Sequence, residues 1–366
     1  MSWHNTTVEA ISPPELEEFL SCCPKRLVYH SPPFLAFLAM AVGGRGSMLA
    51  ARDCGRLVGV LPFFRSQETE HGVVINSLPW FGSHGGCLVH RQAPQKDVRR
   101  SLLSAFAELL AGESNLLSAT LSLSPFEEPF TPLYKQILCP QTTDSRTGQL
   151  LRLPTDNECG SGAREDIRLA LLARMKQKAR NSLYKGIKQG FAHIVDNSDE
   201  SWKFLYETHC VNMAAINGTP KLERHFEALR AHISPQCGRL HLALHGSKPV
   251  AAMYCLHYAP SVEYMIPVVL AEYRSEQPLP FLIHSALLQA VEEGYSYWNF
   301  GGTWHSQATL HRFKEGFGAT DHPYSYMIMT SPAGLKRIRR LRDSLSACFP
   351  GYYIYPYYQL SFNNEE

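Results

Sequence analysis

Two stretches of this chain lay out the same run of elements, and that repetition constrains the fold more than any single motif does. In the first, residues 47–52 and 56–64 read as strands around a tight Asp53-Cys54-Gly55 turn. Strand-like pieces follow at 72–78 and 86–90. Residues 97–111 then carry a helical stripe of Leu102, Leu103, Phe106, Leu109 and Leu110, with Gly112 as the expected stop and a strand over 117–123. In the second, 239–244 and 248–257 flank a His245-Gly246-Ser247 turn, and 262–270 is a third strand. Residues 280–293 form a helix with Leu282, Ile283, Ala286, Leu287 and Ala290 on one face, Gly294 stops it, and 295–300 is the next strand. The order repeats while the individual residues match poorly, so the repeat is one of architecture. An antiparallel sheet with one crossover helix, occurring twice, predicts an α+β fold of two tandem units.

A chain of 366 residues is long enough for two such units. The expected domains are 1–150, 151–330, and a tail over 331–366 made of a basic helix (Lys336, Arg337, Arg339, Arg340, Arg342) and the run Tyr352-Tyr353-Ile354-Tyr355-Pro356-Tyr357-Tyr358. Residues 14–42 read as one or two helices, and the polar stretch 140–161 as a connector. The net charge of +2 excludes bulk positive charge as a route to nucleic acid, and DNA is not an expected partner. Ten cysteines sit at irregular positions without a Cys-x-x-Cys knuckle, so no metal site is expected, and reduced thiols suit a cytoplasmic protein. No apolar run reaches the roughly 18 residues of a membrane span.

Four segments could carry chemistry. Over 174–188 six basic residues, among them Lys176, Arg180 and Lys185, stand with Asn181 and without an acid between them. This face suits a phosphate-bearing partner, against the plainer reading of a solvated basic helix. After the strand that holds Glu263 and Tyr264, Arg274 leads to Pro278 and Pro280. There the glycine-rich, N–H-lined turn that would hold a pyrophosphate is missing. Asn217-Gly218-Thr219-Pro220 reads as a turn into a helix. Finally, Tyr297-Trp298-Asn299-Phe300 runs into Gly301-Gly302-Thr303-Trp304-His305, followed by Arg312-Phe313-Lys314-Glu315-Gly316-Phe317-Gly318. The glycine pair lets a ligand approach the backbone, Trp304 offers an apolar wall, and Thr303 and His305 offer polar atoms. Lys314, between Phe313 and Phe317, would present a fixed cation to a phosphate or a carbonyl oxygen, against the alternative of an ordinary snorkelling lysine.

Phe300-Gly301-Gly302-Thr303 with Phe313-Lys314-Glu315-Gly316-Phe317-Gly318 resembles the C-terminal signature of FemAB-like proteins and the related acetyltransferase 6 group, which are tandem GNAT-fold transferases. Val58-Gly59-Val60-Leu61-Pro62, Ser77-Leu78-Pro79 and Gly85-Gly86 are similar to the first lobe of that group. Arg180-Asn181, Lys185 to Phe191, and Gly218-Thr219-Pro220 are similar to the second. The resemblance spans 45–320 and implies two GNAT-like domains. It also implies transfer of an acyl or aminoacyl group to an amine on a cell-envelope, peptidoglycan or polysaccharide precursor. By it, Lys314 would touch substrate, with His305, Tyr264 or Glu263 as the base, or none of them if the substrate assists. Substrate contacts would fall to Lys176, Arg180, Asn181, Lys185, Arg274, Gly301, Gly302, Thr303, Trp304, Arg312 and Phe313. No tightly bound cofactor is implied. The donor is aminoacyl-tRNA or acyl-CoA, and the acceptor a nucleotide-linked precursor. An acyl-CoA-dependent N-acetyltransferase and a catalytically silent binding protein are the alternatives. The basic, tyrosine-rich tail would suit a peripheral contact with the inner face of a membrane, against the plainer expectation that it packs on the lobes.

Overall fold

The computed structural model describes residues 5–80, 82–160, 163–304 and 307–360. Two compact units divide the chain, 1–146 with 323–366 and 147–322. The first starts with β1 (Asn5–Glu9), α1 (Pro13–Ser21) and α2 (Pro32–Val42). Both helices begin as their sequences dictate: Ser12 and Ser31 accept from the N–H groups of Glu15 and Phe34, and prolines occupy the first turn. The hairpin β2 (Arg45–Asp53) and β3 (Arg56–Arg65) follows, then β4 (Val73–Asn76), β5 (Leu88–Val89), α3 (Gln95–Gly112), β6 (Leu116–Ser122) and α4 (Thr131–Leu138). Strands β1 to β4 pair antiparallel in sequence order, and β4 pairs β6 in parallel. Helix α3 is the crossover that this parallel pair requires. Its Leu102, Leu103 and Phe106 are buried against Leu61, Phe63 and Leu121. Gly112 is still helical, and the helix ends at Glu113.

The stretch 140–161 is not a loop. It contains β7 (Thr142–Arg152), which begins in the first unit and ends in the second. The second unit continues with α5 (Arg164–Arg174), α6 (Gln177–Lys188), β8 (Ala192–Val195), α7 (Asp199–Ala214) and α8 (Glu223–His232). Then come β9 (Gly238–His245), β10 (Lys248–Tyr258), β11 (Ser261–Val269), α9 (Pro278–Glu292), β12 (Tyr297–Thr303) and α10 (Ala308–Gly316). Its strands run in the order β7-β12-β11-β10-β9-β8, antiparallel except for the β12–β11 pair. Helix α9 covers one face with Leu282, Ile283, Ala286 and Leu287 against Met253, Val262 and Trp298. The crossover helix between parallel strands thus recurs, as the repeat in the sequence predicts.

The chain returns to the first unit within β13 (Thr320–Met329) and ends with α11 (Pro332–Arg340), α12 (Arg342–Cys348) and the tyrosine run. The tail is therefore part of the first unit rather than a separate segment. Ile354 and Tyr355 are buried with Val74, Leu117 and Phe349. The hydroxyls of Tyr353 and Tyr358 donate to Asp144 on β7, which also accepts from Arg146. The expected membrane-facing tyrosines are mostly occupied in packing. All ten cysteines are free thiols. Among the described residues no helix is long and apolar enough to cross a membrane.

The contact of α6 with α9 depends on Gly186. A Cβ there would lie 2.6 Å from the Gln277 carbonyl oxygen and 3.0 Å from Phe281 Cβ. Alanine raises helix propensity by up to about 1 kcal/mol, whereas forced overpacking costs about 1–3 kcal/mol. Because the obstructing atom is backbone, the clash wins. Gly186→Ala is expected to lower stability in urea by about 1–2 kcal/mol, and a gain would show that the two helices part freely.

Candidate active site

Strands β11 and β12 pair over three residues only, Ser261–Tyr297, Val262–Trp298 and Glu263–Asn299. Beyond Glu263 and Asn299 the ladder stops, and the two strands part. Here β12 carries a bulge: its register with β7 shifts between Asn299 and Gly302, and Gly301 adopts φ +72°. Only glycine takes that conformation at low cost. The glycine pair foreseen after a strand thus lies within the strand.

Buried side chains hold the bulge from two sides. Glu263, 1% exposed, accepts from Ser261 Oγ at 3.2 Å and Asn299 Nδ2 at 2.7 Å, and Asn299 Oδ1 accepts from the Gly301 N–H at 2.9 Å. From the other side Lys314 Nζ donates to Gly301 O at 3.2 Å, Gly302 O at 3.0 Å and Thr303 Oγ1 at 2.9 Å. Thr303 in turn donates to Gln149 Oε1 at 3.0 Å, and Gln149 Nε2 donates to the His311 carbonyl at 3.1 Å. Helix α10, β12 and β7 are tied into one network.

Lys314 is 3% exposed and its three ammonium hydrogens all have acceptors in the protein, so its charge supports the bulge. Burial lowers its pKa from 10.5 to about 8. Glu263 likewise holds Asn299 and is no free base. Tyr264 stands at the parting of the strands, half-buried, its ring 5.4 Å from Phe300. Phe300, Phe317 and Phe313 continue that aromatic row at 5.8 and 5.3 Å. Burial raises the Tyr264 phenol well above its usual pKa, so it stays protonated. Trp304, just past the end of β12, is 46% exposed, and its backbone N–H donates to Gln307 Oε1. Arg312 is exposed and bonds Ala308 O. His305 lies outside the described residues.

The basic stretch 174–188 is not one helix. Arg174 ends α5 and bonds Glu158 at 2.6 Å, and the chain turns at Met175 before α6. Lys176 pairs with Glu315 of α10 at 2.5 Å, and its N–H donates to Gly316 O, so α6 starts against the helix that carries Lys314. Arg180 and Asn181 share the amide of Gln177. Lys185 is exposed, as is Arg274, which sits before the start of α9. That start is a poor anion site. Pro278 and Pro280 lack N–H groups, Phe281 N bonds Gln277 O, and Gly186 packs against that carbonyl. A cleft of about 310 Å³ belongs to the first unit, between Leu16, Leu35 and Phe64. Its one titratable lining residue, Glu9, is paired with Arg52, and it holds none of the chemistry described above.

Lys314→Met should expose the cost of this network. It leaves two carbonyls and a hydroxyl without their donor, at about 1–3 kcal/mol for each group that stays dry, so a loss of about 2–4 kcal/mol is expected in urea unfolding. The pH dependence has a defined sign. Lys314 binds its proton less tightly folded than unfolded, so folding is penalised below about pH 8 and the penalty fades toward pH 10.5. The wild type should gain stability relative to the methionine variant across that window, and a gap that narrows would refute the assignment.

The acetyltransferase (GNAT) domain model of the acetyltransferase 6 group matches residues 173–315. No curated protein matches the sequence. Among solved structures, FemX is similar with a TM-score of 0.67 and 11% identity, over 88% of this chain and 97% of that one. The C-terminal domain of a proposed lysylphosphatidylglycerol synthetase from Agrobacterium fabrum follows at 0.56 and 13%, over 93% and 99%. A tandem GNAT protein from the clavulanic acid biosynthesis pathway is similar at 0.50 and 14%, over 90% and 99%. At such identities the likeness is one of fold. Residues 173–315 thus match the model of a GNAT acetyltransferase domain, in a chain whose fold is similar to those of FemX and a tandem GNAT protein.

Proposed function

We propose that this protein is an N-acyltransferase that moves an acyl or aminoacyl group onto an amine of a cell-envelope, peptidoglycan or polysaccharide precursor. The reading is carried by the parting of β11 and β12 at Glu263 and Asn299 beside a bulge braced by buried side chains. An extended acyl donor or acceptor can add to those open strand edges through its own amides. The acceptor's amine attacks the acyl carbonyl carbon directly, forming the C–N bond. The carbonyl electrons shift to oxygen, then return as the bond to the leaving oxygen or sulfur breaks. Tyr264, kept protonated by burial, gives its proton to that leaving group, and the new amide nitrogen sheds one to the tyrosinate or to water. No thiol replaces the amine as nucleophile: Cys255 on the neighbouring strand is fully buried, and burial raises its pKa.

An aminoacyl ester is the favoured donor. The proline-blocked start of α9 offers little to a pyrophosphate, which counts against CoA held in that place. The similarity to FemX and to the proposed lysylphosphatidylglycerol synthetase runs the same way. The acetyltransferase description of the matched domain favours the second reading, an acyl-CoA donor bound elsewhere in the cleft. Arg180, Asn181, Arg274, Trp304, Arg312 and Phe313 are the proposed substrate contacts, and His305 is kept as a proposed polar group of the site. Lys314 is a positioning residue in this scheme.

The test offers labelled aminoacyl-tRNA and acetyl-CoA in turn, with an amine-bearing UDP-muropeptide as acceptor, and follows label into amide. Tyr264→Phe should lower kcat by roughly 10²–10⁴ with KM and the melting temperature little changed. A fully active phenylalanine variant would remove Tyr264 from the chemistry. Absence of both transfer and thermal stabilisation by either donor would sink the enzyme in favour of a silent binding protein.

A further inference from the structure

Between Asp166 and Asp196 the chain contains no acidic residue. Partners for two of the cations there come from elsewhere in the second unit, Glu158 for Arg174 and Glu315 for Lys176. Lys178, Lys185 and Lys188 are exposed, and among the described residues none of them pairs with a carboxylate. At 100° per residue these three share one flank of α6 with Asn181. The adjoining flank carries Tyr184 and Ile187, which are 42% and 44% exposed. Arg168 of α5 hydrogen-bonds Tyr184 from the neighbouring helix. The opposite side of the helix is fully engaged: Leu183 is buried, Gly186 meets Gln277 and Phe281, and Ala179 lies 3.1 Å from where a Gly316 Cβ would be.

We propose that this outer face of α6 docks the protein on an anionic phospholipid bilayer. A bare polyanion would be met by the lysines alone and would gain nothing from water-exposed Ile187. A bilayer surface uses every group present. The lysines meet lipid phosphates, the Tyr184 ring lies at headgroup depth, and the Ile187 side chain enters the acyl boundary. The helix is already held on its inner face, so docking requires no ordering of the chain. Docking goes beyond the transfer reading and does not depend on it. It can be measured without turnover.

The experiment is sedimentation of the full-length protein with vesicles of phosphatidylcholine alone, and of phosphatidylcholine with an equal part of phosphatidylglycerol. Binding is expected only to the second, weakening as salt rises. K178E/K185E/K188E should lower the partition coefficient tenfold or more, at about 1 kcal/mol for each lysine near the surface. Y184S/I187S should lower it several-fold. The same charge reversal on the tail helix, K336E/R339E/R340E, should change it less than twofold. Circular dichroism and unchanged melting temperatures keep folding defects out of the comparison. No sedimentation with the anionic vesicles, equal loss from the two charge reversals, or wild-type binding by Y184S/I187S would each overturn the proposal. The last result, with single-stranded RNA displacing the vesicles, would assign the face to a soluble polyanion.

Discussion

A buried lysine that donates to three acceptors is the interaction on which the candidate site depends. Moving an ammonium out of water is costly unless its hydrogens are met, and here Gly301 O, Gly302 O and Thr303 Oγ1 meet them. The same contact gives the two carbonyls of the bulge, turned out of the β7 ladder, a donor in return. Strand β12 can therefore leave its regular register without stranding buried polar groups. Asn299 and Glu263 do the equivalent on the opposite side, pinning the Gly301 N–H. With both ends of the bulge fixed, the parting from β11 is a built feature of the sheet and not a frayed edge.

That arrangement explains why the Phe-Lys-x-Gly-Phe pattern sits at the end of the helix that follows the glycine pair. Lys314 reaches back from α10, and Phe313 and Phe317 set the helix against Phe300. Gly316 faces Ala179 of α6 at a distance that leaves little room for a side chain. Each position answers a packing demand before it answers a chemical one. A strand, two helices and the polar Gln149 of β7 thus converge on the bulge, amid backbone and aromatic rings.

How much of this the residues announced depended on how local the physics was. Hairpins, the amphipathic stripe of α9 and the Gly294 stop after it are decided within a few residues, and they were legible. Strand β7 was not. Its buried Asp144 and Arg146 break any apolar alternation, and they are tolerable inside only because they pair with each other and with Tyr353 and Tyr358, some two hundred residues later in the chain. The packing of the tail, the plainer of its two expectations, rests on the same pairing, since Tyr353 and Tyr358 donate to Asp144 of β7. The direction of Lys314 was not legible: a lysine between two phenylalanines is compatible with snorkelling outward or bonding inward, and the acceptors that decide it lie on β12. Lys176 is the converse case, a cation that looks unpaired until Glu315 arrives from α10.

Those long-range pairings also sort the basic residues by task. Charges next to the core elements are neutralised by specific partners, because an unpaired charge at half-burial would weaken the packing it sits on. Arg174 and Lys176, at the joint between α5 and α6, both follow this rule. The lysines farther along α6 carry no structural demand, and like charges so close together repel slightly. A helix that keeps an uncompensated cationic flank beside exposed aliphatic groups is less stable on its own than one with acids interspersed. That local cost is removed by an anionic surface with an apolar layer beneath it. The inner face of α6 is thus committed to packing on α9 and α10, and its outer face is left for the proposed docking.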